Sequence, residues 1–266
     1  MNPSGRSGPL ARWYDAHGRH DLAWRTTRHR WLILMSEILL HQTQVDRIRT
    51  AWPAFRRAFP TPRRMAARPV GDVLRLWDRL GYPRRARALW RCAQIITNDG
   101  WPEDLRSLPG IGSYTAAAVR ILADDADLVA LDVNVRRVVE RVQGQRLPDR
   151  DAEAVIRRIG RGMAPRDRLL ALMDLGAMVC TARTPNCAEC PLRRRCATRG
   201  PLPESSPRRA APFAGSFRQQ RGQVLAALRN GATPITEFDA TALDSLVRDG
   251  LAVIRTQRGT RIAQLP

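Results

Sequence analysis

The apolar positions of this chain recur at helical spacing over most of its length, and the breaks between them carry Pro or Gly. The pattern predicts a short helix from Trp13-Tyr14 to about Gly18. An extended basic and aromatic segment follows, Arg19-His20-Asp21-Leu22-Ala23-Trp24-Arg25. Residues 31–44 read as a helix apolar almost all round, through Trp31, Leu32, Ile33, Leu34, Met35, Ile38, Leu39 and Leu40. Such a helix is buried. Helices are expected at 45–59, 69–80 and 84–98, then beyond Ser113, and again at 135–142, 151–162 and 167–180. Arg136, Arg137 and Arg141 fall on the polar side of the helix at 135–142. Near the end the pattern changes. Helices at 217–230 and 241–248, the second stopped by Gly250, precede two strands at 251–255 and 260–265 turned by Arg258-Gly259. Two helices and a β-hairpin make a winged-helix-like module. A Pro/Ser/Arg-rich stretch, 201–212, reads as the linker before it. The first nine residues read as disordered.

Two features of this pattern carry chemistry. Glu37 sits inside the apolar helix, where desolvation raises a carboxyl pKa. A structural ion pair with Arg is the plainer use of a buried Glu. Further on, Leu108-Pro109-Gly110-Ile111-Gly112-Ser113-Tyr114-Thr115 opens an Ala-rich helix, and Leu131-Asp132-Val133-Asn134-Val135 follows it. Pro109-Gly110 and Gly112 break a helix and permit positive φ, and Ser113 is placed to cap the next one. A turn of this kind aims backbone N–H groups outward at a helix N-terminus, which is a phosphate-sized anion site. A lone G-x-G between helices would be only a connection.

Composition sharpens this. The 266 residues carry 45 basic and 25 acidic side chains, a formal charge of +20, and every basic residue is arginine. The excess points to a polyanionic partner, most often nucleic acid. With no lysine, no side-chain amine is available for a Schiff base. The longest apolar run is too short to span a bilayer, and the N-terminus lacks a secretory h-region. A soluble cytoplasmic protein is expected.

Four of the five cysteines fall within seventeen residues, as Cys180-x6-Cys187-x2-Cys190-Pro191-x4-Cys196. This clustering suggests a metal centre in a reducing compartment rather than disulfides. Thiolates suit both zinc and iron-sulfur centres, and spacing alone does not choose between them. Arg193, Arg194 and Arg195 lie inside the loop.

Together these motifs resemble the helix-hairpin-helix superfamily of base-excision DNA glycosylases. Ser36-Glu37-Ile38-Leu39-Leu40-His41-Gln42-Thr43-Gln44-Val45, Leu80-Gly81-Tyr82-Pro83-Arg84-Arg85-Ala86 and Met173-Asp174-Leu175-Gly176-Ala177-Met178-Val179-Cys180 are similar to its MutY-type adenine glycosylases. The resemblance covers about residues 10–198. It implies an all-α, two-lobed helix-hairpin-helix fold with an iron-sulfur loop, plus the small C-terminal α+β module. The glycosylase domain would be residues 1–200, with a six-helix lobe at about 22–123 and an iron-sulfur lobe from 10–21 and about 124–198. Linker 201–212 and module 213–266 would follow.

The resemblance also implies residue roles. Glu37 would protonate the leaving adenine at N7, Asp132 would stabilise the sugar cation or capture it transiently, and Tyr114 would hydrogen-bond within this site. Tyr82 and Gln42 would fill the gap left by an extruded base, with His41, Gly110, Gly112, Ser113, Arg84 and Arg194 also facing DNA. Trp24, Arg25, Leu40 and Asp174 would surround that base. Cys180, Cys187, Cys190 and Cys196 would hold a [4Fe-4S] cluster. The partner would be double-stranded DNA with a mismatch or oxidised base, bound by a monomer. Endonuclease III-like bifunctional members carry Lys where this chain has Tyr114, so a monofunctional enzyme is expected.

Three departures stand out. His41 replaces a Gln, Asp132-Val133-Asn134 replaces D-G-N, and the tail is too short for the Nudix-like domain of many MutY proteins. A thymine or uracil glycosylase acting opposite G, and a non-catalytic DNA-binding module, are the competing readings.

Overall fold

The computed structural model describes residues 8–200, 202 and 213–266. The expected linker lies almost entirely outside the described residues, as do the first seven residues. The helices are α1 (Pro9–His17), α2 (Arg30–Leu40), α3 (Val45–Ala58), α4 (Pro62–Ala66), α5 (Val70–Trp77) and α6 (Arg84–Asp99). After them come α7 (Ser113–Asp124), α8 (Val133–Gln143), α9 (Asp149–Ile159), α10 (Pro165–Asp174), α11 (Phe217–Asn230) and α12 (Ala240–Arg248). Strands β1 (Thr233–Pro234), β2 (Val253–Gln257) and β3 (Thr260–Gln264) close the chain. Two compact units result. The first holds the residues up to Leu34 and those after Ile111 through the cysteine loop; the second holds Met35–Ile111 and the C-terminal module.

In the first unit α10 packs against α1, α7 and α8. Its two ends are strapped to the segment after α1 by buried charge. Near the start of α10, Arg166 donates to the carbonyls of Leu122, Arg25 and Thr27. At its end Asp174, wholly buried, accepts from the Arg25 guanidinium at 2.7 and 2.9 Å and from the Arg19 backbone at 2.9 Å. The segment expected to be extended therefore contains a 3-10 turn, Ala23–Arg25, because these bonds pull it inward. The helix expected at 167–180 also divides. Beyond Asp174 the chain widens into a π-turn, Leu175–Val179, with the Cys180 N–H donating to Leu175. Gly176 makes the close packing possible, since a Cβ there would lie 2.8 Å from Asn134.

Arg137 and Arg141 do not lie on a solvent face as expected. Arg137 donates to the carbonyls of Gly176 and Cys180. Arg141 is buried and donates to Thr181 and Ala182. Both close the cysteine loop onto α8.

The second unit is built on a core of Trp52, Phe55, Met65, Val73, Leu74, Trp77 and Leu89, where Phe55 meets Trp77 edge-on. Five-residue α4, too short to show a period, was not expected; it packs on α6. The module has the expected helices α11 and α12 and the expected hairpin. It adds the short strand β1, giving an antiparallel sheet of order β1-β3-β2. The module packs on this unit. Arg229 donates to the carbonyls of Leu74 and Asp78, and the Gly71 N–H donates to Pro266.

Burial alone would push the Asp174 carboxyl up, but its bonds and charge pairing with Arg25 and Arg19 outweigh this and hold its pKa below the usual range. Its stabilising contribution is therefore complete above the unfolded carboxylate pKa, near 3.9, and is lost as pH falls through the depressed folded value. Asp174→Asn leaves two guanidiniums facing an uncharged group. It is expected to destabilise the protein by about 3 kcal/mol at neutral pH, as breaking a buried pair does. The gap between variant and parent should narrow as pH falls below the unfolded carboxylate value and through the depressed folded one, as read by thermal melts across pH.

Candidate active site

In α2, Ser36 and Glu37 are buried among Met35, Ile38 and Leu39, and Glu37 is 5% exposed. The helix ends at Leu40, short of the expected 44, because the chain turns there with Gln42 at φ 53°. Arg85 secures that end. Its guanidinium donates to the Ile38 carbonyl at 2.9 Å, Leu39 at 3.2 Å and also His41. It donates as well to Thr43 Oγ1 at 3.0 Å and to the Leu80 and Gly81 carbonyls at 3.1 Å. One side chain thus gathers the orphan carbonyls of the α2 C-terminus and those of the turn before α6. Burial lowers the Arg85 pKa to about 10, and the ring of Trp77 lies 5.1 Å from its guanidinium carbon. His41 is held below the usual imidazole pKa, first by burial and then by Arg85, so it is neutral near pH 7.

The two loops that Arg85 joins present Gln42 and Tyr82. Both have positive φ, 53° and 46°, and Tyr82 is 51% exposed. Non-glycine residues in this region store strain, and such strain collects at functional loops. Arg84, next in the turn, is turned aside into a bidentate pair with Asp249, both bonds 2.7 Å.

At the hairpin Gly110 has φ 76°, as a tight turn requires, but Gly112 is extended and itself caps α7. Ser113 is the first helical residue, and no side-chain cap is made. The expected serine cap is thus replaced by an uncapped helix N-terminus, which suits an external anion better. Ile111 is buried and anchors the turn, whereas Gly110, Gly112 and Ser113 are exposed. Tyr114, half-buried, points its hydroxyl at Met173 Sδ, 3.7 Å away.

Asp132 caps α8. One carboxylate oxygen accepts from the Val135 N–H at 2.6 Å and the other from Asn134 Nδ2 at 2.9 Å. A negative charge at a helix N-terminus is stabilised there. Asn134 is held in turn by Arg137 Nη2, 2.7 Å from its Oδ1. In this first unit Arg25 and Asp174 meet directly and Trp24 is buried. In the second, Glu37 and Leu40 share α2, and Arg85 brings their helix end to the Tyr82 turn. Sequence reasoning put Arg137 on a polar helix face and gave Arg85 and Asn134 no clamping role; bonds to distant main chain leave no periodic trace.

Cys180, Cys187, Cys190 and Cys196 line one cavity with Arg141, Val179 and Arg193. The Cys190 thiol is pushed up to about 11, by burial first and then by the other three. Arg141 Nη1 donates to Cys180 Sγ at 3.4 Å. Among the described residues no three His, Cys, Asp or Glu side chains converge as ligands of a single metal ion. Arg193, Arg194 and Arg195 form an exposed 3-10 turn at the rim.

Residues 35–161 match the HhH-GPD superfamily of base excision DNA repair proteins. An adenine DNA glycosylase of Mycolicibacterium smegmatis is 42% identical over 266 residues, covering 91% of this chain and 90% of its own. A thermostable thymine-DNA glycosylase structure aligns with TM-score 0.63 at 28% identity, over 71% of this chain and 92% of that one. An endonuclease III–DNA complex aligns with TM-score 0.61 at 22% identity, over 71% of this chain and 91% of that one, a likeness of fold alone. The chain therefore belongs to the adenine DNA glycosylase family of the HhH-GPD superfamily of base excision DNA repair proteins.

Proposed function

We propose that this chain is a monofunctional adenine DNA glycosylase that hydrolyses the N-glycosidic bond of adenine mispaired with 8-oxoguanine or guanine. One observation carries the reading: the likeness to an adenine DNA glycosylase runs over 91% of the chain. Cleaving that bond needs a proton for the leaving purine and an anion for the developing oxocarbenium ion. Glu37, buried in α2, supplies the proton at adenine N7. Asp132, fixed by Val135 and Asn134, supplies the anion. Tyr114 hydrogen-bonds within the site. The target base is extruded from the duplex, as chemistry on a stacked base requires. Tyr82 and Gln42 then occupy the opened stack, while Gly110, Gly112, Ser113 and Arg194 take phosphate. Trp24, Arg25, Leu40 and Asp174 shape the surroundings of the base.

The four cysteines would hold a [4Fe-4S] cluster. What supports this is the donor set: four thiols around the wall of one cavity, with a guanidinium on Cys180 Sγ. When bound, the cluster folds the loop and presents Arg193–Arg195; no step of base release is assigned to it. The enzyme acts as a monomer in the cytoplasm.

A second reading, thymine release opposite guanine, draws on the 28% likeness to a thymine-DNA glycosylase. Single-turnover assays on duplexes holding A opposite 8-oxoguanine, A:G, T:G or U:G separate the two. Adenine release is expected, slowed by at least about a hundredfold in Glu37→Gln. Thymine release alone would favour the second reading. Because the chain has no lysine, product strands should stay intact at neutral pH until treated with alkali. Nicking at the rate of base release would count against this. Purified anaerobically, the protein should be brown, with thiolate-to-iron absorbance near about 400 nm; a colourless protein with stoichiometric zinc would refute the cluster.

A further inference from the structure

Within the second unit, the module and α6 enclose a cleft of about 220 Å³. Its walls carry Arg84, Arg87 and Arg91 of α6, Arg248 at the end of α12, Asp249, and Pro109 of the hairpin turn. Asp249 is the one carboxylate, and it is already committed to Arg84 and Arg221, at 2.7 and 2.6 Å. Arg87, Arg91 and Arg248 carry no ion pair among the described residues. The cleft is also built closely. A Cβ at Gly250 would lie 2.6 Å from Arg87 Nε, and Gly250 has φ +64°, a conformation that favours glycine at the end of α12.

Like charges so gathered repel unless a polyanion lies among them. Their spacing has a period. Positions 84, 87 and 91 form one stripe of α6, whose ends are about 10 Å apart along the helix axis. One DNA strand carries a phosphate about every 3.4 Å of duplex axis, so a stripe of this length reaches more than one phosphate. Pro109 places the stripe beside the hairpin, itself the expected phosphate site.

We propose that the C-terminal module completes a phosphate-binding cleft, in which Arg248 joins Arg87 and Arg91 on the backbone of the DNA duplex. The module thereby lengthens the DNA footprint beside the hairpin; it holds backbone and reads no base. This rests on the glycosylase reading for its partner, a DNA duplex.

The test uses the full chain. Arg91→Ala/Arg248→Ala removes two exposed, unpaired arginines. Arg57→Ala/Arg64→Ala removes the same charge from a different arginine-lined groove. Binding to a duplex extending well past an A:8-oxoguanine pair, and to the matched duplex, is followed by anisotropy across salt. Melting temperatures establish that both variants fold. The first pair should weaken both duplexes by roughly tenfold and flatten the log Kd–log salt slope by about 2, with the second pair near the parent. Base release at saturating protein should keep its rate. Unchanged affinity and slope in the first pair would overturn the proposal. So would equal losses in both pairs, which would mean bulk charge, or a lost preference for the mismatch, which would mean base reading. Binding is measured whether or not adenine is released, so failure of the proposed activity is seen separately.

Discussion

Arginine donated to main-chain carbonyl is the interaction on which the rest of this structure depends. Arg85 ties the end of α2 to the turn before α6. Arg166 ties α10 to the strap at Arg25 and Thr27. Arg137 and Arg141 tie α8 to the cysteine loop. Each meets carbonyls that a helix end or a loop cannot pair by itself, and an unpaired buried carbonyl is costly. A guanidinium does this well because its five donors sit in a fixed fork and it stays charged when partly buried. Arg85 keeps its charge at neutral pH even with its pKa lowered to about 10. A lysine, with fewer fixed donors and a pKa that yields more readily to burial, would hold fewer carbonyls.

The proposed site follows from these ties. Catalysis needs side chains held to fractions of an ångström on rigid elements. Asp132 is the clearest case. Val135 and Asn134 fix its oxygens, Arg137 fixes Asn134, and Gly176 lets that end of α8 pack closely. The π-turn at Leu175–Val179 delivers the carbonyl of Gly176 to Arg137 as well. In the other unit Arg85 holds Gln42 and Tyr82 in left-handed backbone that neither would adopt freely. Two exposed side chains on strained, clamped loops are held in place, as the proposed wedge requires.

How far the sequence discloses this depends on distance along the chain. The starts of α3 and α6 were legible because amphipathic spacing and Pro or Gly breaks are local signals. Glu37 was legible as buried because its neighbours are apolar all round. The α4 helix and β1 were not, being too short to show a period. Gly112 rather than Ser113 caps α7, a choice of one residue that composition does not make. The arginines misled most. Arg137 and Arg141 read as surface by helical period, yet their heads reach carbonyls some 40 residues on. Arg84 meets a carboxylate 165 residues away.

This changes what the formal charge of +20 means. It cannot be read as uniform attraction for a polyanion, since some of the arginines turn inward to carbonyls rather than out to solvent. Part of what remains outward is grouped: Arg193–Arg195 at the cysteine loop, Arg57, Arg64, Arg68 and Arg75 along one groove, and Arg87, Arg91 and Arg248 at the module. Grouped charge acts on phosphates at close range, where screening by salt is weakest, whereas scattered charge mainly raises encounter rates. A chain that uses one cation type for both jobs must separate them by geometry. Carbonyl-rich helix ends draw some arginines inward, and surfaces with fewer carboxylates than arginines leave others facing solvent.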